Sequence, residues 1–368
     1  MEEFLFEFPA KVYYGTDSLK NLRILANKRV LFVYGKSSLK ESGNYDVITN
    51  ILSENNVKVF ELGGNDKPSY SKVLEGIKLV KNNKIEAVLG VGGSTVMDMS
   101  KIISFGSKND NLWDFLSHKL DPTGRASLFT VLIPTYPAGG SETDSASEID
   151  NFETGEHGSL YGIYPNVAIL NPKLTYSLDL KETSYSAIEQ FVQASCSILG
   201  TKGIVRELGN TVVKNILKSL NSLRCNLQDE LARTNLLISS SINVSGLISS
   251  GGSQIGMFIY SLEGIGESLL GMSYRDALIV YFPLFLKGLF KYYPEEILLY
   301  AKEIFEKETL SECLEEIYTL YDKFNLPMAY NEFGTIPSDN VILDNIDEVE
   351  PFTLKDQLDI FKSGFINK

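Results

Sequence analysis

Val88-Leu89-Gly90-Val91-Gly92-Gly93-Ser94-Thr95-Val96-Met97-Asp98 is the stretch around which the rest of the chain is read. The apolar run from Ile85 to Val91 predicts a buried parallel strand. It stops at the pair Gly92-Gly93, and apolar residues at helical spacing (Val96, Met97, Ile102, Ile103) follow at once. A strand, a tight glycine turn and a helix N-terminus gather backbone N–H groups of partial positive charge, which receive a phosphate well. Glycine serves there because a side chain would hold the phosphate away from the backbone. The competing reading is a plain tight turn of an α/β domain.

Further strands fall on both sides of this stretch. Phe4 to Gly15 alternates apolar and polar residues and predicts an edge strand or hairpin. Val30 to Tyr34, Val57 to Leu62, Leu128 to Ile133 and Val167 to Leu170 are strand candidates. Tyr70, Val73, Leu74, Ile77 and Val80 recur at helical spacing after Pro68-Ser69. Strands alternating with helices predict a mostly parallel, helix-covered sheet. Beyond Lys181 strand runs almost disappear, and long helical patterns take over: 183–198, 204–223, 227–244, 257–270, 275–293, 294–305, 310–324 and 351–361. The change of texture places a domain boundary near residue 178, with an α/β domain over 1–178 and an all-helical domain over 179–368.

Composition narrows the class. A chain of 368 residues favours two domains. Its 43% hydrophobic and 22% charged content suits a globular protein with a sizeable core. A formal net charge of −13 argues against nucleic acid and anionic membrane surfaces as general partners. Cys196, Cys225 and Cys313 are far apart and form no CxxC, so neither a disulfide framework nor a zinc cluster is indicated. Idle thiols imply a reducing compartment. The opening Met1-Glu2-Glu3-Phe4 is acidic where a signal peptide would be basic. The longest apolar run, Ala277 to Leu286, is too short for a bilayer and contains Pro283. A cytoplasmic protein is expected.

A second small-residue loop, Ile133-Pro134-Thr135-Tyr136-Pro137-Ala138-Gly139-Gly140-Ser141-Glu142, again follows a strand. Thr135 and Ser141 offer hydroxyls, and Gly139 and Gly140 let backbone approach a ligand. Two such loops favour one shared ligand site at the strands' C-terminal ends, whereas a surface loop is the plainer alternative. Together the two stretches resemble the iron-containing (group III) alcohol dehydrogenase family, in its butanol-dehydrogenase-like branch. The family's Gly-Gly-Gly-Ser-x-x-x-Asp is matched by Gly92, Gly93, Ser94 and Asp98, with Val91 at the first glycine. Its Thr-x-x-x-Thr-Gly-Ser-Glu is matched by Thr135, Gly140, Ser141 and Glu142, with Gly139 at the second threonine. The segments Phe8 to Gly15, Asn171 to Leu178 and Asn325-Leu326-Pro327 also look like family landmarks.

The resemblance implies a Rossmann-like N-terminal domain, an all-helical C-terminal domain, bound NAD(P), and hydride transfer between small alcohols and aldehydes, often by a homodimer. It also implies a divalent metal held by one aspartate and three histidines, and there this chain departs. The family's ligand positions fall on Glu189, Gln193, Tyr260 and Tyr274, and a further histidine near the substrate falls on Gly264. The chain's two histidines, His118 and His157, lie elsewhere. One carboxylate without imidazole holds zinc or ferrous ion weakly, so no resident metal is expected. Glu263 and Glu267 either add oxygens that suit magnesium or manganese, or form a solvated helix face.

In place of the metal, Tyr260 or Tyr274 is expected to donate the proton, oriented by Glu189 or Gln193. The alternative is that the tyrosines fill space and the protein is a non-catalytic nucleotide binder with a regulatory or structural role. No acid follows the first strand; Gly35, Lys36, Ser37 and Ser38 stand there, which suits a 2′-phosphate and predicts NADP(H) over NAD(H). The expected coenzyme contacts are Gly35, Ser37, Ser38, Gly92, Gly93, Ser94, Asp98, Thr135, Gly140 and Ser141.

Overall fold

The structure, a computed structural model, describes residues 7–249 and 254–365, except for the side chains of Gln254, Ser261 and Leu262. Among the described residues eight strands form in chain order: β1 (Lys11–Tyr14), β2 (Arg29–Tyr34), β3 (Lys58–Leu62), β4 (Ala87–Gly92), β5 (Phe129–Pro134), β6 (Ser147–Asn151), β7 (Glu156–Leu160) and β8 (Val167–Leu170). Six of them make one sheet in the order β1-β8-β5-β4-β2-β3, with every pairing parallel. Strands β2, β4, β5 and β8 read as almost wholly apolar runs, with Thr130 the polar residue inside β5, because helices cover both faces of the sheet. Successive side chains of β4 serve opposite faces. Val88 joins a core with Val73, Ile77, Ile102 and Ile103, while Leu89 and Val91 join Leu22, Ile48, Leu52 and Ile169 on the other side.

Helices α1 (Ser38–Glu41), α2 (Asn44–Glu54), α3 (Tyr70–Asn83), α4 (Ser94–Gly106) and α5 (Leu112–Leu116) belong to this part of the chain. The N-terminal stretch gives a single edge strand, β1, paired parallel to β8, and no hairpin with it; residues 4–6 of that expectation lie outside the described residues. One antiparallel hairpin, β6–β7, has no counterpart in the sequence reading. Its residues are mostly polar, and only Ile149 and Leu160 reach the core. Two apolar side chains give no usable period.

The remainder is helical: α6 (Leu180–Ile198), α7 (Gly203–Cys225), α8 (Glu230–Val244), α9 (Ile259–Leu262), α10 (Gly264–Leu270), α11 (Tyr274–Phe290), α12 (Pro294–Phe305), α13 (Leu310–Lys323), α14 (Asp339–Leu343) and α15 (Leu354–Ser363). Contacts divide the described residues into two compact units, one of residues 7–179 with 222–245, the other of residues 180–221, 246–249 and 254–365. Helix α8 therefore packs with the sheet, against β8 and the 3-10 turn Pro172–Thr175. Arg233, fully buried on α8, donates to the carbonyls of Leu227 (2.8 Å) and Leu178 (3.1 Å).

In the helical unit α11 is buried from Ala277 through Leu286, with α6, α12, α13 and α15 packed on it. A helix apolar on all sides is a buried one. The single helix expected over 257–270 is instead a 3-10 turn (Gln254–Phe258) followed by the short α9 and α10. Gly256, Gly264 and Gly266 weaken a continuous helix here. Gly256 is also demanded by space, since a Cβ there would collide with the backbone of Cys196 on α6. Among the described residues no helix is long and apolar enough to cross a membrane.

Candidate functional site

Register decides where the two glycine loops go. Gly92 is opposite Pro134 across the β4–β5 pair, so both loops leave neighbouring strands at the same end of the sheet. The turn after β2, at Gly35, opens at that end too, since β2 pairs in parallel with β4 and Tyr34 is opposite Val91.

Gly93 precedes α4 in an extended conformation, and the amides of Val96 and Met97 both donate to its carbonyl. A Cβ at Gly92 would stand 2.8 Å from Val96 Cγ2, so this glycine lets α4 press onto the strand. A Cβ at Gly93 would meet nothing within 4 Å, and Ser94 is exposed. The helix start is thus open on the side where its amides point.

The second loop is stitched to the first. Thr135 N donates to Gly92 O (3.0 Å), and a Cβ at Gly139 would lie 2.8 Å from Ser94 Oγ. Gly140 has φ +63°, and a Cβ there would stand 2.7 Å from Ser240 O, so both conformation and space require glycine. Ser240 Oγ donates to Ala138 O at 2.9 Å. Ser141 Oγ donates to Asp98 Oδ1 at 2.5 Å, and Asp98 Oδ2 accepts from Glu148 N at 3.4 Å. Asp98 is thus tied to the second loop through Ser141 and to β6 through the Glu148 amide.

Sequence reasoning missed Lys101, which ties α4 to the chain at the end of the second loop with its side chain fully buried. Its Nζ donates to Asp144 Oδ1 (2.6 Å), Ser141 O (3.0 Å) and Ala146 O, with Asp98 Oδ1 at 3.5 Å. Burial alone would lower its pKa, but the carboxylates of Asp144 and Asp98 raise it and hold the ammonium charged. The only hint in the sequence is spacing: Lys101 follows Asp98 by three residues, on one helix face. Burial pushes the Asp144 carboxyl up to about 6, against the opposing pull of Lys101. Glu142, fully buried, accepts from Ser241 Oγ at 2.6 Å; burial pushes it to about 7 despite that bond.

Around Gly35 the structure adds an acid. Lys36 Nζ pairs with Asp66, which follows β3, and this pairing lowers the Asp66 carboxyl. Asn65 fastens the two turns, donating to Tyr34 O (2.8 Å) and Leu62 O (2.7 Å). Ser37 and Ser38 sit at the start of α1, where Ser37 makes no side-chain cap. The acid lacking after β2 in the sequence is thus supplied from the neighbouring strand, thirty residues on from Lys36 by number (66 − 36).

In the helical unit Glu189 and Gln193, four apart on α6, are both buried, at 5% and 9% exposure. Arg275 in the first turn of α11 places Nε 3.4 Å from Glu189 Oε2 and Nη1 3.7 Å from Glu182 Oε2. Burial pushes Glu189 to about 7, and Arg275 opposes the rise. Tyr260 on α9 is held well above the ordinary phenol range by burial, then by the charges of Tyr274, Cys196, Glu263 and Glu189. Glu189, Tyr260 and Tyr274 therefore share one electrostatic neighbourhood. Glu263 is buried at 5% exposure, its Oε2 without a hydrogen-bond partner among the described residues, and burial pushes it to about 8. A solvated face holds for exposed Glu267 and fails for Glu263. His118 bonds Ser159, and His157 bonds Asp150, both near the β6–β7 hairpin. Among the described residues no group of three or more His, Cys, Asp and Glu is placed to hold a metal ion.

A parallel sheet with glycine turns at its strand ends, continued by a helical unit, defines a two-part α/β and all-α protein of the Rossmann-like kind. The chain belongs to the iron-containing alcohol dehydrogenase family, which residues 9–172 match. It is 30% identical over 262 residues to NADH-dependent butanol dehydrogenase A of Clostridium acetobutylicum, covering 68% of this chain and 67% of that protein. It is 23% identical over 360 residues to the NADPH-dependent aldehyde reductase YqhD of Escherichia coli, covering 91% and 90%. The crystal structure of NADH-dependent butanol dehydrogenase A from Thermotoga maritima superposes with a TM-score of 0.87 at 25% identity, covering 100% of this chain and 99% of that one.

Proposed function

We infer that this protein is an NAD(P)-dependent oxidoreductase that interconverts small alcohols and aldehydes. The observation that carries the reading is the pair of joined loops after β4 and β5, open at Gly93 above the start of a thirteen-residue helix. These residues fit a dinucleotide. Gly92, Gly93 and Ser94 with the α4 amides would hold its pyrophosphate. Thr135 and Gly140 shape the second wall, while Asp98 and Ser141 brace it from behind. Gly35, Ser37 and Ser38 would border the ribose, where Lys36 favours a 2′-phosphate and its partner Asp66 opposes one. The coenzyme, when bound, supplies or accepts the hydride.

The family's iron does not fit the residues present. One buried carboxylate already facing a guanidinium, one amide and two phenols make a poor donor set for iron or zinc. The proton therefore comes from a phenol: Tyr260 is kept protonated by burial and Tyr274 is its neighbour, with Glu189 or Gln193 orienting the donor. The α/β part over residues 1–178 is assigned to the coenzyme and the helical part over 179–368 to the substrate, in a cytoplasmic homodimer. The test is aldehyde reduction by purified, metal-free protein with NADPH and NADH. Tyr260→Phe with Tyr274→Phe should abolish turnover while coenzyme binding persists; unchanged turnover in the double variant excludes the phenol role.

A further inference from the structure

We propose that Arg275 is the resident cation of this site, its guanidinium standing opposite Glu189 where other members of the family hold a divalent metal. The inference rests on the oxidoreductase reading and assigns the charge that reading leaves unsupplied. Glu189 has a side chain only 7% exposed, and the cation facing it is Arg275 Nε at 3.4 Å. The same guanidinium reaches Glu182, seven residues earlier on α6, at 3.7 Å. Arginine in the first turn of α11 runs against the helix dipole, which favours anions there, so helix stability does not explain it. Its immediate neighbour is Tyr274, and the Arg275 side chain is 41% exposed while the acid it faces is 7% exposed, so the pair stands at the edge of the buried region and not in its middle.

A guanidinium does in this place what a metal does only when loaded. It is charged at every working pH and offers a planar set of donors to an oxygen that gains negative charge. It also repels a second cation from Glu189, so guanidinium and divalent ion exclude each other. The polar residues that replaced imidazole, Gln193, Tyr260 and Tyr274, are then companions of an organic cation.

Three measurements test the proposal. Wild-type protein dialysed against zinc, and separately against manganese, should retain far less than one equivalent, and chelator should leave turnover unchanged; one equivalent of zinc that is lost in Glu189→Gln overturns it. Arg275→Gln should lower kcat by about 100- to 1000-fold, the range for removing one fixed donor to a developing oxyanion, with a smaller change in KM. Arg275→Lys should recover part of the loss, and added guanidinium ion should restore Arg275→Ala. Unchanged kcat, or a loss that neither lysine nor guanidinium repairs, overturns the assignment; unaltered coenzyme affinity shows that the variants are folded. If the wild type reduces no aldehyde with either coenzyme, the oxidoreductase reading fails, and stability still decides on Arg275. In that case Arg275→Gln should lower the melting temperature in the wild-type background and leave it unchanged in the Glu189→Gln background, and equal shifts in both backgrounds overturn the assignment.

Discussion

Replacing Lys101 by methionine should be the most damaging single change in the sheet unit. The ammonium is fully buried, donates to Asp144 Oδ1 at 2.6 Å and to Ser141 O at 3.0 Å, and lies 3.5 Å from Asp98 Oδ1. Methionine matches the length of the lysine stem, so lost packing is small. What remains is two half-buried carboxylates and two carbonyls with no cation among them. Breaking one side of a buried ion pair costs about 3–5 kcal/mol, a large part of the roughly 5–15 kcal/mol that holds a domain together. The single tryptophan, Trp113, packs edge-on against Tyr70 in this unit and provides the fluorescence signal for urea unfolding. At pH 7 the midpoint should fall by about 1–3 M urea.

The pH dependence gives a sharper test. Asp144 titrates at about 6 in the native protein, above its ordinary value, because burial outweighs Lys101. A carboxyl whose folded pKa is raised opposes folding increasingly as pH climbs from the unfolded value to the folded one. Without Lys101 both carboxyls rise further, so the deficit of Lys101→Met should be smallest near pH 5 and grow toward pH 8. Adding Asp144→Asn should recover much of it. A loss below about 1 kcal/mol, the level of an exposed pair, or a deficit that does not change between pH 5 and pH 8, would refute the account of this cluster.

Glu142, pushed to about 7 by burial, should carry an ionisation penalty of about 3 kcal/mol at pH 8 and none near pH 4. Glu142→Gln keeps an oxygen for Ser241 and should raise the melting temperature at pH 8 while leaving it unchanged at pH 4. Asp66→Asn should free Lys36 and shift the ratio of dissociation constants toward NADPH by about 2- to 5-fold, the modest effect of an exposed pair; an unchanged ratio separates Lys36 from coenzyme choice.

Much of the fold is legible in residue order because it depends on local pattern. The interiors of the central strands are apolar apart from Thr130, a consequence of covering both faces, and their runs fall within two residues of the observed ends at β2, β4, β5 and β8. The hairpin β6–β7 escapes notice because its residues are mostly polar and only Ile149 and Leu160 are apolar, too few to show a period. The broken segment over 254–270 misleads because the pattern there is helical and only packing shows why a glycine must pass the backbone of Cys196.

The site divides in the same way. The glycine pair at Gly92-Gly93, the loop at Gly139-Gly140 and the non-histidine residues at Glu189, Gln193, Tyr260 and Tyr274 are matters of identity and spacing, fixed by the chain alone. Three partnerships are not: Lys101 on α4 with Asp144, Asp66 beside Lys36, and Arg275 against Glu189. The partners stand 43, 30 and 86 positions apart (144 − 101, 66 − 36, 275 − 189). Electrostatic pairing depends on distance through space and on how much water is shut out, and only the folded chain sets either.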